Sequence, residues 1–192
     1  MSTPRRRRAT PAELTEEQRA LYERITGGPR AAGPQHFALT DAEGRLAGPF
    51  DALLLSPAVG TALQEVGAAV RYGSDLTDRV RELAILLVAG HWECAFERSA
   101  HEAIGRAVGL SEPEIAAATA GTQPDLSDPA ESAALAAVEA LVLRGDLGDE
   151  EYTTAVDRLG ERGVFELTTL VGYYATLAMQ LRVFRADEEV TL

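Results

Sequence analysis

The spacing of apolar residues in the larger, C-terminal part of the chain most constrains its fold. From Asp51 onward, apolar residues recur every three or four positions, the spacing that builds one face of an α-helix. In the stretch DLTDRVRELAILLVAG, for example, Leu76, Val80, Leu83 and Leu87 fall on one stripe. No segment shows the convincing apolar and polar alternation of a half-buried strand. The pattern therefore predicts an all-α fold of seven to eight packed helices.

The length and composition favour one domain preceded by a short tail. The chain has 192 residues and is 46% hydrophobic, which is sufficient for a single core without disulfides. We predict that residues 13–192 form this single all-α domain. Residues 1–12 include the basic run Arg5 to Arg8 and no apolar segment, so they are predicted to be a disordered basic tail.

Two further segments stand out within the domain. Thr15, followed three residues later by Gln18, is a capping-box pattern that predicts the start of a first helix. Residues 29–50 are rich in glycine and proline and lack a sustained period, so we expect a long and mostly irregular segment there. The last predicted helix, Val164 to Phe184, is apolar around most of its circumference. One small monomer cannot cover such a helix, which predicts a homo-oligomer.

Charge and residue usage narrow the function classes. The net charge of −12 disfavours a general nucleic-acid surface, because a phosphate backbone is repelled by an acidic protein. No apolar run approaches the length of a membrane span, and the single cysteine, Cys94, fits a reducing cytoplasm. All 18 basic residues are arginines, which excludes lysine Schiff bases and lysine-dependent phosphate loops. A small-molecule substrate is the expected partner.

The chain concentrates its reactive side chains between residues 81 and 105. Cys94, Glu97 and His101 lie at positions i, i+3 and i+7 of one predicted helix, so they share one helix face. Glu82 lies on the preceding helix, and a hairpin at the break near His91 would bring its carboxylate to the same place. A Glu and His pair at this spacing is also a common surface ion pair, and a lone cysteine is commonly a core residue.

The motifs in this region resemble those of the carboxymuconolactone decarboxylase and alkylhydroperoxidase D superfamily. The resemblance rests on RELAIL, the following Glu-x-x-x-His, and GLSEPEI, and it extends to LTEEQRALYERITGGPR, GPFDALLLSP and ELTTLVGYYATLAMQLRVF. These longer matches resemble the long form of the decarboxylase branch. The resemblance implies an all-α, alkylhydroperoxidase D-like domain that assembles as a trimer or a multiple of a trimer.

One position separates the chain from the peroxidase branch of this superfamily. That branch uses a glutamate followed by Cys-x-x-Cys-x-x-x-His, and the resemblance aligns Glu82, Cys94 and His101 with the glutamate, the first cysteine and the histidine. The second cysteine is replaced by Glu97. Since a carboxylate cannot form a disulfide with Cys94, we expect no dithiol peroxidase chemistry. The Glu-x-x-x-His form instead resembles the decarboxylase branch.

The resemblance implies a cofactor-independent acid/base enzyme, with decarboxylation of a carboxylated muconolactone as the type reaction. We expect His101 to transfer the proton, Glu97 to hold its tautomer, and Glu82 to be a second acid or base. Further expected contacts to the substrate are Cys94, His91 and Trp92. No metal and no cofactor are expected, because His91, Glu97 and His101 form no clear ligand set. A thiol-dependent redox protein and a non-catalytic helical assembly protein remain alternatives.

Overall fold

A computed structural model describes residues 5–28, 32 and 37–186. Within these residues the fold is all-α, as the apolar spacing predicts, and it has eight α-helices. The only pairing of β type in the described part is an isolated bridge between Thr40 and Leu46. The helices, in chain order, are α1 Glu16–Gly27, α2 Pro49–Leu53, α3 Pro57–Tyr72, α4 Asp78–His91, α5 Ala95–Ala107, α6 Glu112–Thr119, α7 Pro129–Arg144 and α8 Asp149–Phe184.

Helix α4 is the centre of the molecule. It packs against α5, α6, α7 and α8, and every residue from Val80 to Ala89 is buried. The hydroxyl of Thr77 caps its first turn by accepting a hydrogen bond from the amide of Val80. Gly90 permits a close approach to α6, since a Cβ at this position would lie 2.3 Å from the carbonyl oxygen of Thr119. A polar side chain between Val80 and Ala89 therefore lies in the protein core.

Helix α8 is longer than the predicted Val164 to Phe184 helix. Its two parts meet at Gly160, where a φ of 72° places the backbone in the left-handed region that favours glycine. In the second part, Tyr174 and its neighbours on the inner face are buried, whereas Phe165 is 71% exposed and Met179 is 44% exposed. An apolar face of α8 is thus uncovered in the single chain, and the homo-oligomer remains a prediction.

The N-terminal residues from Arg5 onward differ from the predicted disordered tail. The amide of Arg5 donates to the carbonyl oxygen of Phe184, and Arg6 Nη1 lies 2.5 Å from Asp51 Oδ2. Arg8 pairs with Asp41 at 3.1 Å. These partners are distant in sequence. The Arg6 ion pair holds the segment against α2, and hydrogen bonds of Arg5 to backbone carbonyls hold it against the end of α8. Residues 1–4 lie outside the described residues.

The predicted irregular segment at residues 29–50 ends earlier than expected, because α2 begins at Pro49 after the left-handed Gly48. Its described residues include the turn at Asp41, whose carboxylate accepts hydrogen bonds from the amides of Glu43 and Arg45. Residues 29–31 and 33–36 lie outside the described residues. Among the helices that are described, none combines the length and apolar character needed to cross a membrane.

Candidate active site

A tight turn between α4 and α5 builds the hairpin that the sequence suggested. The amide of Trp92 donates to Val88, and the amide of Cys94 donates to Ala89, so the turn closes the carboxyl end of α4. Between them, Glu93 adopts a φ of 50°, an uncommon left-handed conformation for a residue with a side chain. Cys94 then becomes the N-cap of α5. The chain reverses within three residues, which lays α5 alongside α4.

This hairpin brings His101 between two carboxylates. The Nδ1 of His101 lies 2.5 Å from Oε2 of Glu82 on α4. On the other side of the ring, Nε2 lies 3.4 Å from Oε2 of Glu97, one turn earlier on α5. The sequence spacing had suggested that these three side chains converge, and they do. The geometry differs from expectation in one respect, because the shorter contact to the imidazole comes from Glu82 rather than from Glu97.

The cluster is buried but its hydrogen bonding is incomplete. Glu82, Glu97 and His101 are 0%, 4% and 3% exposed. Within the described residues, Oε1 of Glu82 and Oε1 of Glu97 have no hydrogen-bond partner. Arg81 Nε lies 3.5 Å from Glu82 Oε1. Buried carboxylate oxygens are normally satisfied, so two open acceptors beside one imidazole are unusual for a purely structural pair.

The charges of this cluster shift the pKa values of His101 and Glu82 in opposite directions. Burial favours the neutral imidazole, but the charge and hydrogen bond of Glu82 and the hydrogen bond of Glu97 outweigh it, so the pKa of His101 is raised. Burial also acts against the charged form of Glu82. The charge and hydrogen bond of His101, aided by the charges of Arg71 and Arg81, prevail and lower the pKa of Glu82. These shifts favour the imidazolium of His101 and the carboxylate of Glu82 over their neutral forms.

Two residues that the sequence did not single out complete the surroundings of His101. The ring of Tyr174 on α8 meets the imidazole edge to face, with centroids 5.2 Å apart. Arg71, near the carboxyl end of α3, donates from Nη1 to the Tyr174 hydroxyl at 3.5 Å. Burial raises the pKa of Tyr174, so its hydroxyl stays protonated. No local pattern points to this pair, because the two residues are 103 positions apart in the chain.

Arg71 combines a buried guanidinium nitrogen with the absence of a carboxylate within ion-pair distance in the described part of the chain. Its Nε is buried and has no hydrogen-bond partner there. Burial opposes its charge, but Tyr174 and the charge of Glu82 act in the other direction, and the pKa of Arg71 is raised. A guanidinium that is largely enclosed and lacks a carboxylate partner retains the capacity to bind an anion.

The three residues expected to contact substrate lie around the turn instead of in the cluster. Cys94 is 1% exposed and packs with Phe96 and Leu181 in a small apolar cluster. His91 is exposed, and its ring meets Trp92 edge to face at 5.7 Å. Among the described residues, no group of three or more His, Cys, Asp or Glu side chains is arranged as metal ligands.

Comparisons with known proteins agree with this architecture. Residues 57–140, which include α3, α4 and α5, match the model of the carboxymuconolactone decarboxylase family. The crystal structure of an alkylhydroperoxidase AhpD core, an uncharacterized peroxidase-related protein from Ralstonia eutropha JMP134, is similar with a TM-score of 0.74 and 13% identity over 98% of this chain and 93% of that one. No curated protein matches the chain significantly.

Two other solved structures show the same fold. A protein of unknown function from Agrobacterium tumefaciens, described as an AhpD antioxidant defence protein, has a TM-score of 0.63 and 21% identity, with 72% of this chain and 94% of that chain covered. The debrominase Bmp8 has a TM-score of 0.67 and 13% identity, with 91% of this chain and 86% of that chain covered. A cysteine-to-alanine variant of Bmp8 was crystallised with 2,3,4-tribromopyrrole.

The family match covers the hairpin that holds Glu82, Glu97 and His101, and the fold extends across nearly the whole chain. Residues 57–140 are therefore similar to the carboxymuconolactone decarboxylase family, and the chain as a whole has the fold of an AhpD core. The debrominase Bmp8, which has the same fold, is an enzyme by its name.

Proposed function

We propose that this protein is a cofactor-independent acid/base enzyme that decarboxylates, or moves a proton on, an unsaturated lactone or an enolisable acid. The observation that carries the proposal is the buried imidazole of His101, held between two carboxylates that each keep an open oxygen. The match to the carboxymuconolactone decarboxylase family supports the same class of reaction. Proton transfer of this kind requires one positioned group that titrates near neutral pH.

The geometry suggests a division of roles. Glu82, at 2.5 Å from Nδ1, fixes the orientation of the ring and stabilises the imidazolium. His101 is then the proton donor through Nε2, which faces Glu97 at the longer distance of 3.4 Å. Glu97 is placed to accept a proton from substrate or to return one to His101. These roles exchange the tasks that the sequence alone assigned to the two glutamates.

In a decarboxylation, the bond between the substrate carbon and its carboxylate breaks, and CO2 leaves. The bonding electrons pass into the conjugated carbonyl and form an enolate, whose oxygen carries the developing negative charge. Arg71 and the Tyr174 hydroxyl are the groups near His101 able to stabilise that oxygen. The imidazolium of His101 then protonates a carbon of the enolate, and the next proton from solvent restores it.

Access to the cluster requires a local opening, because the three central side chains are almost fully buried in the single chain. We place this opening beside Arg71, whose guanidinium is enclosed but whose side chain is half-buried overall, and which adjoins Tyr174. An anionic substrate would approach the guanidinium as it enters. This placement fits the lack of a carboxylate partner for Arg71 in the described part of the chain.

A thiol-dependent reaction is the second candidate function. The solved complex of a cysteine variant of the debrominase Bmp8 with tribromopyrrole favours a role for a cysteine in that protein. In this chain Cys94 is also near the start of α5, but it is packed among apolar side chains and the second cysteine position is Glu97. We therefore expect reduction of peroxides with dithiol donors to be negligible and unchanged in Cys94→Ser.

We further propose that the chain acts in the cytoplasm as a homo-oligomer, a trimer or a multiple of one. Residues on the uncovered side of α8 follow one another at alternating four- and three-residue intervals. They are Phe165, Thr169, Gly172, Thr176, Met179 and Val183. Such spacing is suited to a helix in another copy. Light scattering should therefore give a mass well above 20.5 kDa, and a folded monomer would contradict the assembly.

The acid/base proposal is tested by proton exchange and CO2 release. Carboxylated unsaturated lactones and β-keto acids are incubated with the protein in D2O, and NMR follows loss of the carboxylate and replacement of C–H by C–D. We expect turnover by the wild type and by Cys94→Ser. His101→Gln and Glu97→Gln should each lower the rate by about 10² to 10⁴ while the fold is retained.

Circular dichroism and light scattering check the fold of each variant. If His101→Gln and Glu97→Gln keep the full rate, or lose it only in proportion to lost folding, the cluster is a structural ion pair and the proposed roles are wrong. If the wild type itself turns over none of these substrates, the result favours a non-catalytic helical assembly protein. If Cys94→Ser abolishes turnover while His101→Gln does not, the thiol-dependent reaction takes the place of the acid/base reaction.

A further inference from the structure

A second feature, separate from the His101 cluster, is a cavity of about 470 Å³ where the N-terminal segment meets α2, α5 and the end of α8. This volume lies in the range of small-molecule sites. Among the described residues that line it are the arginines Arg6, Arg7, Arg8 and Arg45, and none of Glu82, Glu97, His101 or Arg71. We call this feature the arginine cleft.

The lining of the arginine cleft contains more arginines than carboxylates. Four arginines and two aspartates, Asp41 and Asp51, line it in a chain whose net charge is −12. Two glutamates outside the lining pair with Arg7 and Arg45, so the cleft offers an anion oriented N–H donors and not a net positive charge. The run of N-terminal arginines thus lies beside this cavity, a position that the sequence alone did not indicate.

The arginines are held in place without being saturated. Arg6 uses only Nη1, which donates to the carbonyl oxygen and the carboxylate of Asp51. Arg45 uses Nε and Nη2 for Asp41 and Glu43, so its Nη1 makes no hydrogen bond to a described residue. Each guanidinium has five N–H donors in a fixed plane. The ion pairs therefore fix the orientation of these groups and leave donors for a ligand.

One wall of the arginine cleft is apolar. Phe96 of α5 and Leu181 and Phe184 of α8 line it. The lining also includes Gln180, whose side-chain oxygen is buried and accepts no hydrogen bond from a described residue. An inorganic ion would leave the apolar wall uncovered, whereas an amphiphilic molecule would contact both surfaces.

We propose that the arginine cleft binds a small organic anion, a carboxylate attached to an apolar ring or chain. The carboxylate contacts Arg45 and the N-terminal arginines, and the apolar body lies against Phe96, Leu181 and Phe184. This site is independent of the proposed acid/base reaction, because it shares no described residue with the His101 cluster.

The test uses two fluorescent probes with the same ring system, 2-naphthoate and the neutral 2-naphthalenemethanol, titrated into the full-length protein. We expect saturable binding of 2-naphthoate, with the neutral probe at least about tenfold weaker because it lacks the charge-assisted contacts. Arg45→Gln should weaken 2-naphthoate by about tenfold and leave the neutral probe nearly unchanged. Phe184→Ala should weaken both probes.

Matched variants separate this site from other sources of binding. Arg158→Gln removes an exposed arginine of α8 away from the cleft and should leave both affinities unchanged. Arg71→Gln should also leave 2-naphthoate binding unchanged. Equal affinity for the two probes, no saturable binding, or equal effects of Arg45→Gln and Arg158→Gln would overturn the proposal. Loss of binding in Arg71→Gln but not in Arg45→Gln would overturn it too, and would place the anion beside the His101 cluster.

Discussion

Helix α4 carries two charged networks one turn apart, and they differ in how completely their hydrogen bonds are satisfied. Arg79 uses all three of its nitrogens: Nε and Nη2 donate to Glu131, Nη2 also donates to Glu114, and Nη1 donates to the carbonyl oxygen of Gly109. It joins α4 to α6 and α7. This network is complete within the chain, as expected where charges serve the fold.

The second network, around Glu82, is more deeply buried and less complete. Glu82 and Glu97 each keep one oxygen without a hydrogen bond in the described part of the chain, and Arg71 has no carboxylate partner there. If stability alone mattered, the more deeply buried network would have the more complete hydrogen bonding, because open polar atoms are most costly in the core. The comparison indicates that unsatisfied groups, rather than charge or burial, distinguish a candidate active site from a structural ion pair.

We expect the largest effect when matched substitutions on α4 are compared, one in each network. Glu82→Gln should lower the rate of the proposed reaction by about 10² to 10³, because His101 loses the charge that keeps it protonated. Its free energy of unfolding should change by no more than about 1 kcal/mol, since a neutral imidazole can still donate to the amide. Rates come from the D2O assay and stabilities from urea unfolding.

Arg79→Gln is the matched control for this substitution. It should lower the free energy of unfolding by about 2 kcal/mol, because Glu114 and Glu131 lose their shared cation. The rate per folded molecule should remain within about twofold of wild type, as Arg79 lies outside the proposed reaction. The comparison fails if Glu82→Gln loses stability without a specific loss of rate, or if Arg79→Gln loses rate without a loss of stability.

The sequence predicted the part of the site that depends on local spacing. Glu97 and His101 are four residues apart on one helix, so their proximity follows from helical geometry. Glu82 could be added because a short break between two helices suggests a hairpin. The identity of the closer partner of His101 could not be predicted, because it depends on the turn at Glu93 and on how closely α4 and α5 pack.

The sequence pattern could not predict contacts between distant parts of the chain. Arg71 and Tyr174 meet only because α3 and α8 pack together, and no local spacing links the two residues. The docking of Arg6 on Asp51 joins residues 45 positions apart. A run of arginines without apolar residues resembles a solvated tail, and only the position of acidic partners on the folded domain shows otherwise.

A smaller effect is expected in the pH dependence of stability. The pKa of His101 is raised above its ordinary value of 6.5, so its contribution to stability is full below that pH and is lost as pH rises through the folded pKa. The pKa of Glu82 is lowered from 4.5, so its contribution is present above that pH and is lost as pH falls through the folded pKa. The pair therefore stabilises most between these two values.

This dependence is measured as the difference in unfolding free energy between wild type and His101→Gln. The advantage of the wild type should be largest between about pH 4.5 and 6.5 and should shrink toward about pH 9. The difference between wild type and Arg79→Gln should stay flat from about pH 6.5 to 9, because arginine does not titrate there. A flat difference for His101→Gln would mean that His101 is not an imidazolium paired with Glu82.

The smallest effect concerns the turn at Glu93, which lays α5 alongside α4 and so forms the network around Glu82. This turn has no part in the network of Arg79. Glu93 is held at a φ of 50°, where a Cβ is unfavourable, whereas glycine adopts this conformation without strain. Glu93→Gly relieves that strain but increases the freedom of the unfolded chain, so we expect a net stabilisation of only about 0.5 kcal/mol. The rate of the proposed reaction should be unchanged, since the turn keeps its shape and the Glu93 side chain is exposed.

Glu93→Ala is the control, because it removes the same carboxylate but retains the Cβ, and it should match wild type in both stability and rate. A loss of rate in both variants would show that the Glu93 carboxylate takes part in the site, and a loss in Glu93→Gly alone would show that the rigidity of this turn keeps His101 against Glu82.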